Sequence, residues 1–379
     1  METQLIQNKV EEARRNLLKV VETLNSVLVG RSEEAEAAML ALVAREHVVM
    51  IGPPGTGKTM LATTLARLLG VRAYTVLLTR YTSPDEVVGP IDIPALKSGE
   101  VKRQWSHIVD SWLAFFDEIF KASPALLNSL LSLLNERVLY DPFTGVAVPT
   151  KLWTAIAASN EVPQDEELQA LYDRFAVKVF VKPLLKNVEL IAKALEVKWL
   201  NGAEIKQVAS PEDVAILHEH AMSLAPHALR LYQKYVVPLA QLADAKGIFI
   251  SDRTVIEKLF KLFLAYLALY GAVNSTAAVQ AAFKLIRYVA RTPEELAELD
   301  QALAEMLGEF IELKKMLDDG KHLYDLGEHK EALAIFNKIA SYDIEKLADK
   351  PWMKEYVEGL IEEAQQYIQR IYRLRNKLK

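Results

Sequence analysis

The sequence predicts an α/β fold followed by an all-helical second half, and three observations indicate this class. Between residues 47 and 181, short apolar segments rich in β-branched residues alternate with helical stretches, which is typical of a parallel sheet covered on both faces. A glycine-rich segment, 52–59, joins the first apolar segment to a helix. After Pro183 the pattern is helical to the last residue.

Two helices are predicted before the sheet. Residues 1–28 place apolar side chains along one helical face. A second helix is expected over 32–45, with Ser32 as its N-terminal cap and two glutamates in its first turn. We expect the N-terminal helix, 1–25, to precede an α/β core that covers 26–183.

Five strands and three intervening helices are predicted for the core. Each strand is short and apolar, so we expect each to be buried on both faces. The strands are 47–51, 72–78, 111–116, 153–158 and 177–181, and the helices are 58–69, 124–135 and 165–172. The carboxyl ends of parallel strands meet at one edge of the sheet, where doubly wound folds bind their ligands.

The second half is predicted to contain two helical regions. The first, 184–291, is expected to hold four or five helices, with starts at Ser210 and Ser251. The second, 292–379, contains a spacing that resembles one tetratricopeptide unit. The residues of that spacing are Gly320, Gly327, Ala332 and Phe336. A single unit cannot bury its own apolar face, so a true repeat and a plain helix pair both stay open.

Composition and charge exclude several classes of protein. The chain has no cysteine, which excludes disulfides, thiolate metal sites and cysteine nucleophiles. Its 45 basic and 50 acidic residues give a net charge of −5, so it lacks the basic excess of many nucleic-acid-binding proteins. No apolar stretch is long enough for a membrane span, and the amino terminus lacks the pattern of a secretory signal. We therefore expect a soluble cytoplasmic protein.

The segment 52–59 matches the G-x-x-x-x-G-K-[ST] pattern of a phosphate-binding loop, and it joins a predicted strand to a predicted helix. Its glycines let backbone N–H groups approach a phosphate, and the helix N-terminus adds a positive dipole end. We expect Lys58 at the β- and γ-phosphates of ATP and the Thr59 hydroxyl on Mg²⁺. The expected nucleotide-binding residues are Gly52, Pro53, Pro54, Gly55, Thr56, Gly57, Lys58, Thr59 and Met60.

Two later strands end in polar residues that would complete such a site. One apolar strand ends in Asp117 and Glu118. We expect Asp117 to bind Mg²⁺ and Glu118 to orient and deprotonate the attacking water. Asn160 ends another strand and is expected between the γ-phosphate and Glu118. Without the phosphate-binding loop, Asp117 and Glu118 could be solvated acids at a strand end, and Asn160 could be an ordinary turn residue. The presence of the loop favours the catalytic interpretation.

Four motifs that occur in a fixed order together resemble a known family. They are GPPGTGKT at 52–59, FFDEIFKASPALLNSLLSLLNER at 115–137, ASNE at 158–161 and LYDRF at 171–175. From about residue 26 to 290 the chain resembles AAA+ ATPases of the MoxR family, with the RavA-like branch nearest. The resemblance implies a five-stranded parallel sheet in the order 5-1-4-3-2 and a helical lid at 184–291. It also implies a ring, usually of six subunits, with ATP and Mg²⁺ at the subunit joints.

The resemblance also assigns roles to two arginines. Arg174 in LYDRF matches the arginine finger that acts on the neighbouring subunit's ATP, and Arg253 matches the sensor-2 arginine of the lid. Asn160 matches sensor 1, and residues 29–31 match a segment near the adenine. From the residues alone, a salt bridge between Arg174 and Asp173 and an ordinary helix cation at Arg253 stay open.

Two further segments resemble loops that face the pore of the ring. They are 82–105, which resembles the family's insert, and 138–151, a predicted hairpin with its turn near 141–145. Asp141, Phe143 and Thr144 are candidate contacts for a substrate protein. A plain exposed hairpin is the equal alternative.

The resemblance favours a chaperone-like ATPase that remodels or matures a protein client, with partner choice expected in 292–379. The chain carries no metal-ion-dependent adhesion motif, so a von Willebrand A-domain partner would be a separate protein.

A DNA or RNA remodelling motor is the alternative, but it predicts basic hairpins, and 138–151 carries only one basic residue, Lys151. A regulatory subunit without hydrolysis is disfavoured by the complete set of Lys58, Thr59, Asp117 and Glu118.

Overall fold

The computed structural model describes residues 2–141, 144–200, 205–325, 328–347 and 351–377. The strands are β1 (Val48–Ile51), β2 (Ala73–Leu77), β3 (Leu113–Asp117), β4 (Val138–Tyr140), β5 (Ala147–Pro149), β6 (Thr154–Ser159) and β7 (Val177–Phe180). The helices up to β7 are α1 (Glu2–Val27), α2 (Ser32–Ala44), α3 (Lys58–Leu68), α4 (Pro84–Val88), α5 (Ile93–Lys97), α6 (Pro124–Glu136) and α7 (Glu166–Tyr172). The helices after β7 are α8 (Val188–Trp199), α9 (Pro211–Ser223), α10 (Ala225–Tyr235), α11 (Val237–Ala245), α12 (Leu259–Tyr270), α13 (Ser275–Ile286), α14 (Pro293–Asp325), α15 (His329–Ala340) and α16 (Pro351–Lys377). Within these ranges, no helix combines the length and the apolar composition that a bilayer span requires.

Five of the strands form one parallel sheet, in the order β2-β3-β6-β1-β7. Numbered in chain order within this sheet, the strands read 5-1-4-3-2 from the β7 edge. β1 is an interior strand, since Val48 pairs with Ile156 of β6 and with Val177 of β7. β4 and β5 pair separately as an antiparallel hairpin.

The strands β1 and β6 are completely buried, as predicted, but β2 is not. Its residues are half-buried or exposed, and Leu77 is 60% exposed. β2 lies at the edge of the sheet, where a strand has a neighbour on one side only. The prediction that every strand is buried on both faces is therefore wrong for β2.

Alternate residues of the strands contribute to two cores, one on each face of the sheet. Val48 and Met50 of β1 belong to the first core, together with residues of α1, α2, α3 and many helices of the second half. Val49 and Ile51 belong to the second core, together with residues of α6 and α7. The sheet is thus covered on both faces, and its carboxyl edge is left for the loops.

The N-terminal helices pack against the second half of the chain as well as against the sheet. α1 lies against α2, α9 and α12, and Arg14 Nε donates to the carbonyl oxygen of Ala268 at 2.8 Å. α2 begins at Ser32, and Arg31 holds the N-cap position without a side-chain cap. The prediction of Ser32 as the cap is therefore wrong by one residue, since Ser32 is already helical.

The described part of residues 184–290, namely 184–200 and 205–290, holds six α-helices, α8 to α13, one more than the largest number expected. The additional break separates α10 from α11, where Pro238 stands in the first turn of α11 and cannot continue the preceding helix. The two predicted starts are confirmed. Asp213 N donates to Ser210 Oγ at 3.2 Å in a capping box, and Thr254 N donates to Ser251 Oγ at 3.3 Å.

The C-terminal helices α14, α15 and α16 pack on one another. Gly320 of α14 lies directly on the Phe336 ring, because a Cβ at Gly320 would stand 2.7 Å from it. Phe336 and Ala332 are fully buried, and Tyr367 of α16 stacks on Phe336 with 5.0 Å between ring centroids. α16 therefore covers the face that one tetratricopeptide-like helix pair leaves open. Gly327, the remaining residue of the predicted spacing, lies outside the described residues.

His47, just before β1, is locked in its neutral form. The ring accepts at Nδ1 from Ala155 N at 3.0 Å, so Nε2 carries the proton and donates to the carbonyl oxygen of Leu134 at 2.8 Å. A second proton would face the Ala155 N–H. Burial lowers the pKa of His47 from 6.5 to about 3, and the charge of Arg137 acts in the same direction.

We expect the free energy of unfolding to fall with pH below 6.5 because of His47. Between pH 6.5 and 3, His47 is protonated in the unfolded chain but not in the folded chain. Each unit by which the pH falls in this range therefore lowers the free energy of unfolding by about 1.4 kcal/mol. Urea unfolding from pH 7 to 4 measures the slope. His47→Gln should flatten it, whereas the exposed control His227→Gln should not. An unchanged slope in His47→Gln would contradict the assignment.

Candidate functional site

The phosphate-binding loop follows β1 and leads into α3, with Gly57 at the N-cap of that helix. Gly55 and Gly57 have positive φ angles of 76° and 90°, which other residues rarely adopt. Apart from the adjoining residues in the chain, no atom of the described residues lies within 4 Å of a Cβ built at either position. Gly52 is needed for another reason, since a Cβ there would meet the carbonyl oxygen of Val181 at 2.3 Å. The loop therefore offers an open backbone surface that suits phosphate oxygens.

Lys58 lies inside this loop and is 8% exposed. Its Nζ donates to the carbonyl oxygens of Gly52 at 2.5 Å and Pro53 at 3.0 Å. It also donates to Asn160 Oδ1 at 3.4 Å. Burial lowers the pKa of Lys58, although the charge of Asp117 opposes that change. Lys58 thus places its ammonium between the loop and the end of β6.

Thr59 and Asp117 form an oxygen pair that suits Mg²⁺. Thr59 Oγ1 donates to Asp117 Oδ2 at 3.4 Å. The other carboxylate oxygen, Asp117 Oδ1, accepts from Glu118 N at 3.1 Å, which orients the carboxylate. Mg²⁺ prefers hard oxygen ligands and is usually held by one or two protein groups together with phosphate and water. The donor set therefore fits the predicted metal.

Glu118 and Asn160 are brought together across the sheet. Asn160 Nδ2 donates to Glu118 Oε1, and Lys121 Nζ lies 3.3 Å from Glu118 Oε2. The backbone of Glu118 has a φ of 54°, a left-handed conformation that is uncommon outside glycine. Such conformations cost free energy and concentrate at functional sites. The carboxylate is held in one orientation at the carboxyl edge of the sheet.

A cavity of about 670 Å³ adjoins the phosphate-binding loop, and most of its lining is apolar. Val29 and Arg31, from the segment expected near the adenine, line it, and so does Met60. The opposite wall comes from α8, including Ile191 and Ala194. An apolar cavity of this size suits a planar base with its ribose. Sequence reasoning missed the contribution of α8, because residues 188–199 contain no motif.

Arg31 ties the loop to its surroundings, a role that the sequence did not indicate. Its Nε donates to the carbonyl oxygen of Thr56 in the loop at 2.8 Å, and Nη1 donates to the carbonyl oxygen of Lys182 at 2.8 Å. Nη1 also lies 3.5 Å from the carboxylate of Glu34, and both side chains are buried. Arg31 therefore fixes the loop relative to the segment that follows β7.

The two predicted arginines lie apart from this group. Arg174 and Arg253 are not among the residues that line the cavity at the loop. Asp173 pairs with Arg291 at 3.3 Å, so the salt bridge to Arg174 that stayed open is not formed. In the part of the chain that the structure describes, the Arg174 side chain has no hydrogen bond or ion pair, and its Nε is buried. Arg253 pairs with Glu257 at 3.1 Å.

Arg103 links the insert, 82–105, to the hairpin, 138–151. Its buried guanidinium lies 2.6 Å from Asp85 in the insert and 3.4 Å from Asp141 in the hairpin. Asp141 is only 3% exposed, so its prediction as a contact for a substrate protein is wrong. Thr144 is exposed, and Phe143 lies outside the described residues.

Several known proteins are similar to this chain in sequence. A family model described as the MoxR domain in the MoxR-vWA-beta-propeller ternary systems matches residues 15–220, more than half of the chain. An uncharacterized protein of Methanocaldococcus jannaschii is 28% identical over 91% of this chain and 99% of its own length. The chaperone MoxR1 of Mycobacterium tuberculosis is 24% identical over 58% of each chain.

A solved structure gives the same fold. A protein of Cytophaga hutchinsonii, assigned as an ATPase, superposes with a TM-score of 0.60 at 19% identity, over 79% of this chain and 94% of that one. At this identity the likeness concerns the fold alone. The family follows from the matched family model and agrees with the geometry of the loop, the acid pair and Asn160. The chain belongs to the MoxR family of AAA+ ATPases.

Proposed function

We propose that this chain is a Mg²⁺-dependent ATPase of the RavA-like branch that remodels or matures a protein client, in a cytoplasmic ring of six copies. The observation that carries the proposal is the convergence of Lys58, Asp117, Glu118 and Asn160 beside the cavity at the phosphate-binding loop. Phosphoryl transfer depends on positioning and on charge neutralisation rather than on covalent catalysis by the protein. These four side chains supply both.

Each group has one role in this proposal. The loop N–H groups and Lys58 bind the β- and γ-phosphates of ATP, while the apolar cavity takes the adenine. Thr59 and Asp117 would hold Mg²⁺, which when bound would neutralise charge on the phosphates. Glu118, held by Asn160, orients the attacking water and accepts its proton.

Arg174 and Arg253 act, in this proposal, on the ATP of a neighbouring copy. Two observations support it: neither residue lines the cavity at the loop of its own chain, and the Arg174 guanidinium has no partner among the described residues. A cation that is partly buried without a partner is costly. The triphosphate of a neighbouring chain would pair with this guanidinium and remove that cost. The guanidinium would in turn stabilise the negative charge of the transition state.

The insert and the hairpin form the proposed contact surface for the client. Arg103 joins them into one unit, and Ile93 and Leu96 of the insert are exposed apolar side chains that suit a protein surface. The matched family model names vWA and beta-propeller partners, so we propose a separate von Willebrand A-domain protein as a partner, with residues 292–379 contributing to its choice. A nucleic-acid motor is the weaker alternative, since Lys151 of the hairpin already pairs with Asp110 at 2.8 Å.

Affinity capture with the Glu118→Gln chain tests the protein-client proposal. With ATP this variant should retain its protein partners, because a site that binds ATP without hydrolysis keeps the ATP-bound form. The matched control carries Lys58→Ala in addition, which removes the phosphate contact and should release them. Retention of DNA or RNA without protein would overturn the proposal in favour of the nucleic-acid motor. Equal capture with and without Lys58 would show that ATP is not involved.

A further inference from the structure

Two buried lysines bond to the backbone on either side of Arg174. Lys258 Nζ donates to the carbonyl oxygen of Asp173, and Lys178 Nζ donates to the carbonyl oxygen of Phe175 at 3.2 Å. Asp173 is the C-cap of α7, where helix geometry leaves carbonyl oxygens without partners and favours a cation, and Phe175 lies in the short segment between that cap and β7. Arg174 therefore lies between two anchored peptide groups.

The two anchors are unusual because each buries an ammonium. Lys258 is 5% exposed and Lys178 is 8% exposed, and neither forms an ion pair within the described ranges. Burial lowers the pKa of Lys178 to about 7 and that of Lys258 to about 8. An apolar side chain would avoid this desolvation cost. The donor positions, rather than simple filling of space, therefore explain why lysine stands here.

Lys258 also connects this backbone to the other predicted arginine. Lys258 ends a π-helical turn, Thr254–Lys258, which directly follows Arg253. Turns of this type are rare and occur often at functional sites. Next to Lys258, Glu257 bonds both Arg253 at 3.1 Å and Lys261 at 2.9 Å, and Lys261 bonds Glu46 at 3.0 Å. The turn that follows Arg253 is thus linked to Arg253 and Lys261 through Glu257, and through Lys258 it is bonded directly to the segment that carries Arg174.

We propose that Lys258 is a positioning residue: it fixes the segment of Arg174 to the turn of Arg253, so that both guanidiniums reach a neighbour's ATP as one unit. This inference rests on the proposed role of Arg174. Lys258 touches no substrate and acts only through Arg174. A purely structural lysine would instead lower stability and would affect turnover whether or not Arg174 is present.

The test is a double-mutant cycle in the full-length chain, with Lys258→Met, Arg174→Ala and both together. Turnover at saturating ATP, ATP affinity by calorimetry and the melting temperature are measured for each. We expect Lys258→Met to lower turnover by about 10²-fold, the usual cost of a misplaced catalytic group, with unchanged ATP affinity. In the Arg174→Ala background, Lys258→Met should cause no further loss. Lys258→Arg keeps a cationic donor and should restore part of the turnover.

The outcomes separate this inference from the proposed function. Wild-type turnover in Arg174→Ala would defeat the proposed role of Arg174. A large loss in Arg174→Ala, together with an equal further loss on adding Lys258→Met, would defeat only the positioning role of Lys258. If Lys258→Met does not fold, Lys258→Gln retains a neutral N–H donor and is measured in the same cycle. Full turnover in a folded Lys258→Met chain would also overturn the inference, and so would a loss from Lys258→Gln that is as large in the Arg174→Ala background as in the wild type.

Discussion

Replacing Glu118 with glutamine should lower the rate of ATP hydrolysis by about 10²–10⁴-fold, the range that general-base catalysis contributes. The change keeps the size of the side chain, so Asn160 can still donate to the amide oxygen, although the ion pair with Lys121 is lost. What is lost is the capacity to accept a proton from water. ATP binding should persist, because Lys58, Thr59 and Asp117 are untouched. Steady-state phosphate release and calorimetry with ATP measure the two quantities.

Glu167→Gln is the matched control for this experiment. Glu167 is exposed, and it lines a second cavity of about 790 Å³ together with Glu118. Removal of its charge therefore alters the same electrostatic surroundings without touching the carboxylate that Asn160 holds. We expect turnover of the control close to that of the wild type. If Glu118→Gln also hydrolysed ATP at the wild-type rate, Glu118 could not be the base, and the proposed reaction would lose its central group.

The phosphate-binding loop and the acid pair could be predicted from sequence because their chemistry is local. A strand, a glycine-rich turn and a helix follow one another within 48–68, and the loop needs no distant residue to take its shape. Asn160 is bonded to Glu118 as expected, although 42 positions separate them. The fold class places them together, since both end neighbouring strands of one parallel sheet.

Interactions between distant residues limited the remaining predictions. Asp141 resembles an exposed turn residue, but it is buried and bonded to Arg103, which stands 38 positions earlier in the chain. The bond from Arg31 to Thr56 and the wall that α8 adds to the cavity depend likewise on packing of elements that carry no motif. The exposure of β2 follows from its place at the sheet edge, not from its composition. Local pattern identifies the chemistry, but tertiary packing decides which polar residues remain accessible.

Arg174→Ala should lower turnover by about 10³–10⁵-fold, the contribution of an arginine finger in related phosphoryl-transfer enzymes. The loss should appear in the rate at saturating ATP rather than in ATP affinity, because Arg174 does not line the cavity of its own chain. Arg230→Ala, which removes an exposed arginine from α10, is the control and should leave turnover unchanged. Unchanged turnover in Arg174→Ala would assign the unpaired guanidinium to another role.

A mixing experiment decides whether Arg174 acts between chains. Arg174→Ala chains keep an intact Glu118, and Glu118→Gln chains keep an intact Arg174. Where the two stand side by side in one assembly, some sites combine the working base of the first with the guanidinium of the second. Turnover of the mixture should then exceed that of either variant alone. If both variants co-assemble but the mixture stays inactive, Arg174 must act on the ATP of its own chain, and its segment would have to move toward the phosphate-binding loop to reach it.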